Sequence, residues 1–143
     1  MTSQTEFQTS NGRAVAGEVA EVLDASGVPQ AACAASVKHL VSTASTNSAI
    51  VKAGAGRVLG WVFGNTTASW RYVRIANVAT LPVPGTTTPA QTIAIPPNGT
   101  ATALSDVGIG YSAGIGIWAT AAAADADTTV TGVNDIVGDL FFA

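Results

Sequence analysis

The sequence predicts an all-β fold, an antiparallel β-sandwich or jelly roll with an N-terminal arm. Three observations predict it. From about residue 37 onward, apolar runs are short, rich in β-branched and aromatic residues, and recur roughly every ten residues. Clusters of Gly, Pro and Asn stand between them. Few helix-length apolar periodicities interrupt the series. Sandwiches, jelly rolls and barrels all share this pattern.

The first forty residues have a different texture. They hold Glu6, Glu18, Glu21 and Asp24, and a small apolar stretch, 31–35, around Cys33. Val15, Val19 and Val22 fall at helical spacing with Glu18 and Glu21 on other faces, and Gly27 and Pro29 end the pattern. One short amphipathic helix satisfies that spacing, and so does an extended arm that takes its shape against a neighbour. The expected organisation is an arm over residues 1–40 and a β-sandwich domain over 41–143.

The strands follow in order. Residues 37–41 make a short candidate. Residues 48–52 make another, ended by Gly54 and Gly56, and 57–63 follow, closed by Gly64 and Asn65. The run 70–75, with Trp70, Tyr72, Val73 and Ile75, is the clearest strand signal of all. Pro82 and Pro84 remove ladder donors, so 81–85 reads as a loop or an edge. Residues 91–95 form a strand stopped by Pro96, Pro97, Asn98 and Gly99. Residues 100–104, 109–118, 128–131 and 136–142 complete the set. Gly108, Gly110, Gly114 and Gly116, just before and within the run 109–118, alternate with apolar residues such as Ile109, Tyr111, Ile115 and Ile117, which suggests bulges or close backbone approach.

Charge is scarce. Only 10% of residues are Asp, Glu, Lys or Arg, against about 25% in an ordinary soluble domain. Yet no apolar stretch approaches the ~20 residues of a membrane-spanning helix. The hydrophobic fraction of 48% excludes wholesale disorder. The net charge is -3, and the six cations run thinly from Arg13 to Arg74. Phosphate neutralisation needs clustered Lys and Arg, so nucleic acid is not an expected partner. A surface this poor in ions, and strand edges guarded by only two lysines, predict burial against other chains. The segment Met1 to Phe7 lacks the charged start and apolar core of a secretory signal, which predicts synthesis in a cytoplasm.

Each residue able to carry chemistry has a plainer role beside the catalytic one. Cys33 is the only cysteine, which rules out an intrachain disulfide, and its apolar setting fits a buried thiol. His39 is the only histidine, and no G-x-S-x-G elbow accompanies it, so it reads as a polar strand residue or a subunit contact. Asp125, Asp127, Asn134 and Asp135 are the densest oxygen cluster. They lack the EF-hand pattern for calcium and read as a solvated turn, so no metal is expected. The aspartates from Asp106 onward offer no defined carboxylate pair for glycoside hydrolysis. Trp61, Trp70 and Trp118 suit core or interface, or else a sugar-stacking platform. Arg71 and Arg74 lie on opposite strand faces, which fits either pairing with aspartates across subunits or simple exposure.

Several stretches carry a resemblance. Residues 42–53, 56–60, 70–75, 84–89, 92–96 and 108–120, and Asn134 to Ile136, are together similar to small virion structural proteins of tailed phages. The similarity spans residues 42–142 and lies in texture, with no catalytic motif. It implies a β-sandwich or jelly-roll virion protein, most often a capsid decoration, or cement, protein. Such a protein binds as a homodimer or homotrimer across major capsid subunits on the virion surface and is no enzyme; it uses no cofactor and touches neither nucleic acid nor membrane. A tail or baseplate component and a carbohydrate-binding module are the alternatives. The arm, on this view, clasps a neighbouring subunit.

Overall fold

The computed structural model describes residues 22–23, 29–30 and 35–143. These fall into two units. In the first, β1 (Val22–Leu23) pairs antiparallel with β2 (Pro29–Gln30), with Val22 opposite Gln30. Val22 is thus extended. Val15, Val19 and Cys33, and with them the expected helix, lie outside the described residues.

The second unit begins at Ala35. Its eight strands are β3 (Ser36–Val41), β4 (Ala49–Lys52), β5 (Gly56–Asn65), β6 (Arg71–Asn77), β7 (Gln91–Ile95), β8 (Thr100–Tyr111), β9 (Ile115–Thr120) and β10 (Ile136–Phe142). The sandwich therefore takes in residues 36–40, which the sequence assigns to the arm, because β3 pairs along its whole length with β10.

Two antiparallel four-stranded sheets result, in the orders β3-β10-β5-β8 and β4-β9-β6-β7. Within the sandwich the first strand pairs with the last, the second with the seventh, the third with the sixth and the fourth with the fifth. That is one long ribbon folded about the β6–β7 connection. Rolling it up adds the pairings β10–β5 and β9–β6 and closes both sheets. The connectivity is that of a jelly roll.

The core lies between the sheets. Val58, Phe63, Ile136 and Leu140 come from one sheet, and Val73, Ile75, Ile93, Ile95, Ile115 and Ile117 from the other, all buried. Alternation explains the selection, since Val73 and Ile75 point inward and Arg74 outward. Gly138 marks the tightest approach: a Cβ there would stand 2.0 Å from the Val62 carbonyl oxygen.

Two expected strands differ. The run 109–118 is split, with Ile109 to Tyr111 ending β8, Ile115 opening β9, and a turn at Ser112 and Ala113 between them. The Asn77 side-chain oxygen takes the Ala113 N–H at 2.8 Å and holds that turn. Residues 128–131 form no strand. Asp127 accepts from both the N–H and the hydroxyl of Thr129, which draws the backbone into a local turn. The expected bulge is real. Val58 faces Ile109 while Gly60 faces Leu104, so residues 105–108 loop out of β8. Gly108 supplies the positive φ of 80° that this requires, and its N–H donates to Ser105 Oγ at 2.9 Å.

Candidate interaction surface

The two outer faces of the sandwich are treated differently by the chain. The outer face of β4-β9-β6-β7 is covered over its middle strands. Arg74, on β6, is 0% exposed. Its guanidinium donates to the Thr120 hydroxyl and to the carbonyls of Ala122, Ala123 and Ala124, the last two at 2.6 and 2.8 Å. It stands 5.7 Å from the Tyr72 ring centroid. Burial lowers the pKa of the guanidinium, while the charges of Asp125 and Asp127 oppose that shift. The arginine pins the loop after β9 over the sheet. Beside it Gly116 leaves room for Val78 and Pro82 of the β6–β7 connection, and Trp118 is buried on the same face. The Trp118 indole N–H and Arg74 Nε have no hydrogen-bond partner among the described residues.

Arg71 and Arg74 therefore correct both sequence readings. Neither is a free strand arginine, and each is engaged within its own chain. Arg71 Nε donates to Asp135 at 2.8 Å. The oxygen cluster is likewise dispersed. Burial pushes the Asp127 carboxyl up, but the Thr129 hydroxyl and the Ala122 N–H outweigh it and hold the group below its ordinary value. Asp135 behaves in the same way: burial raises it, and the Gly132 N–H and Arg71 bring it down further. Asn134 occupies the turn with φ of 63°, and Asp125 is exposed. Among the described residues, no three His, Cys, Asp or Glu side chains gather as metal ligands.

His39 is exposed on β3, and its Nδ1 lies 2.7 Å from Asp139 on the neighbouring strand. Among the described residues it has no other hydrogen-bond partner. The tryptophans do not form one platform. Trp118 lies under loops, Trp61 packs against the core, and Trp70 alone is open, at 48% exposure.

The outer face of β3-β10-β5-β8 is bare. Strand alternation brings Val37 and Val41 of β3, Val137 of β10, Val62 of β5 and Leu104 of β8 onto it. All are exposed, Val37 at 58% and Leu104 at 75%. The His39–Asp139 pair is the charge among them. Monomeric proteins rarely leave such a patch uncovered. The valines were visible as strand residues in the sequence, but their common face follows from register, which the sequence does not display. Asn77 and the carbonyl-binding role of Arg74 escaped sequence reasoning for the same reason, since their partners lie more than thirty residues away.

No protein-family model, curated protein or solved structure matches this chain.

Proposed function

We propose that this protein is a structural subunit of a tailed-phage particle, a capsid decoration protein that binds as a homo-oligomer across major capsid subunits on the shell surface. The observation that supports the reading best is the bare apolar face of β3-β10-β5-β8 set against a loop-covered opposite face. The low charge and the sequence resemblance point the same way. The action is mechanical and not catalytic. Apolar area leaves water at about 25 cal/mol per Å², and the contact repeats with the symmetry of the shell. Residues 1–34 serve as the arm that clasps a neighbour.

Co-sedimentation with shells assembled from the particle's major capsid protein tests the reading. Val41 and Val137 pair across β3 and β10 at one end of the face. The double variant V41D/V137D, folded by circular dichroism, is expected to lose the shell. Retained binding, or no binding by the wild type, overturns the reading. Binding to purified tails in place of shells moves the subunit to the tail or baseplate.

A second reading rests on the exposure of Trp70. An open indole stacks on apolar sugar faces, which makes the jelly roll a carbohydrate-binding module of a tail fibre or bacterial surface. Glycan-array binding that Trp70→Ala abolishes favours it, and an array without signal removes it.

A further inference from the structure

The four outer strands of the two sheets are not equally protected. β4 is four residues long and closes on Lys52. β7 is five residues long and is stopped by Pro96. β3 is six residues long and carries Lys38. β8 is twelve residues long, has no lysine or proline, and has only β5 as a ladder partner. Short length, Lys, Pro and bulges are the usual devices against edge pairing; β8 has only its bulge at 105–108, and that leaves the straight run 100–104 open.

Its free backbone groups can be located. Asn65 N–H donates to the Gly99 carbonyl, so Asn65 bonds toward the β8 side. Donors on an antiparallel strand alternate in direction. With Phe63 opposite Ala101 and Trp61 opposite Ala103, the groups of Ala101 and Ala103 point to β5. Those of Thr102 and Leu104 point away from the sheet.

The side chains around these groups are apolar and open. Leu104 is 75% and Val107 71% exposed. A cavity of about 110 Å³ opens beside them, lined by Leu59, Trp61, Leu104 and Ile109 among others. Two charges flank it. Arg57 lies against the bulge, with its guanidinium on the Val107 carbonyl at 3.2 Å, and Asp106 immediately precedes Val107. Neither forms an ion pair among the described residues.

We propose that β8 pairs antiparallel with β8 of a second copy, about a two-fold axis beside Leu104. The inference deepens the decoration-protein reading by naming its self-association surface. A second copy fits this edge better than a foreign strand for two reasons. An isologous contact must be self-complementary, and the edge offers both halves of each interaction: outward donors and acceptors, an aliphatic side chain and a pit to receive it. Arg57 and Asp106 meet the same two charges inverted by the axis, so like signs need not oppose. The dimer has a continuous eight-stranded sheet, and both bare apolar faces remain on its surface.

Sedimentation velocity on the full chain decides the matter. The wild type is expected to be dimeric or a multiple of it. Leu104→Lys places a charge on an already exposed side chain, which leaves folding intact, and should weaken association at least tenfold. Thr102→Pro removes an N–H that the monomer does not use and should do the same. A monomeric wild type overturns the inference, as does unchanged association in both folded variants. Shell co-sedimentation of Thr102→Pro, which leaves the apolar side chains of the bare face unchanged, separates this inference from the broader one. Loss of dimer with weakened but detectable shell binding supports both, whereas an unchanged oligomer that still binds shells overturns only the β8 contact.

Discussion

Arg71 and Asp135 meet across the sandwich: Nε of the first lies 2.8 Å from Oδ2 of the second, with both side chains mostly withdrawn from water. Arg71 opens β6 in one sheet, and Asp135 stands immediately before β10 in the other. The pair ties the two sheets together at one end, and Asp135 also holds the Gly132 N–H at 2.8 Å, which shapes the turn that launches β10.

Breaking that tie should be costly. A charge-assisted hydrogen bond in such a setting contributes about 1.5–3 kcal/mol. Arg71→Ala and Asp135→Asn should each lower unfolding stability by that amount. A double-mutant cycle by urea denaturation checks it: the double variant should lose clearly less than the sum of the single losses.

Acid should act through the same residue. Asp135 and Asp127 both ionise below the ordinary carboxylate value of 3.8 when folded. Folding therefore favours their charged forms, and the stabilisation is fully present above the unfolded value. It is lost as pH falls below 3.8 and through the lower folded values. Urea midpoints should be level from pH 7 to 5 and drop below 4, by the ordinary carboxylate range of about 3.9. Asp135→Asn should show a smaller drop than the wild type. An equal drop means that Asp135 is not a source of the acid sensitivity.

Arg74 should govern the loop after β9. Arg74→Met keeps the bulk of the side chain and removes every donor to Thr120, Ala122, Ala123 and Ala124. We expect a loss of about 2–3 kcal/mol and new proteolytic cleavage within residues 121–131. Arg74→Lys should rescue only part of it, because an ammonium has no planar fork. Limited proteolysis with mass spectrometry reads both effects.

Two glycines in strands should respond in opposite ways. A methyl at Gly138 would overlap the Val62 carbonyl oxygen at 2.0 Å, whereas at Gly110 nothing lies within 4 Å. Gly138→Ala should destabilise by about 3 kcal/mol or prevent folding. Gly110→Ala should be neutral or stabilising by up to about 1 kcal/mol. Thermal melts of the two variants make the comparison.

Much of the architecture was legible because local pattern carried it. Val73 and Ile75 alternate with Arg74 in a way that only a strand explains, and Pro96 to Gly99 could only be a turn. Errors arose where a distant group overrode local texture. Ser112 and Ala113 interrupt an apolar alternating run because the Asn77 amide, 36 residues earlier, captures the Ala113 N–H. Thr129 and Val130 have strand propensity, but the Asp127 carboxylate claims the N–H and hydroxyl of Thr129 first. Arg74 read as a subunit contact or an exposed residue because nothing near it in sequence shows that three alanine carbonyls close over it. The bare sheet face was foreshadowed only by composition; its membership depends on the pairing of Val41 with Val137 and of Val62 with Asp139.

The place of β10 between β3 and β5 has a consequence for biogenesis. During translation β3 and β5 emerge long before the strand that must lie between them, and they cannot complete their ladders until β10 has cleared the ribosome. Synthesis at roughly 5–20 residues per second leaves several seconds in which both edges stand open. A crowded polysome would bring many such half-made sheets together. The nascent chain is thus most exposed to misassembly just before its final strand slots home like a keystone, and the demand on chaperones should peak there.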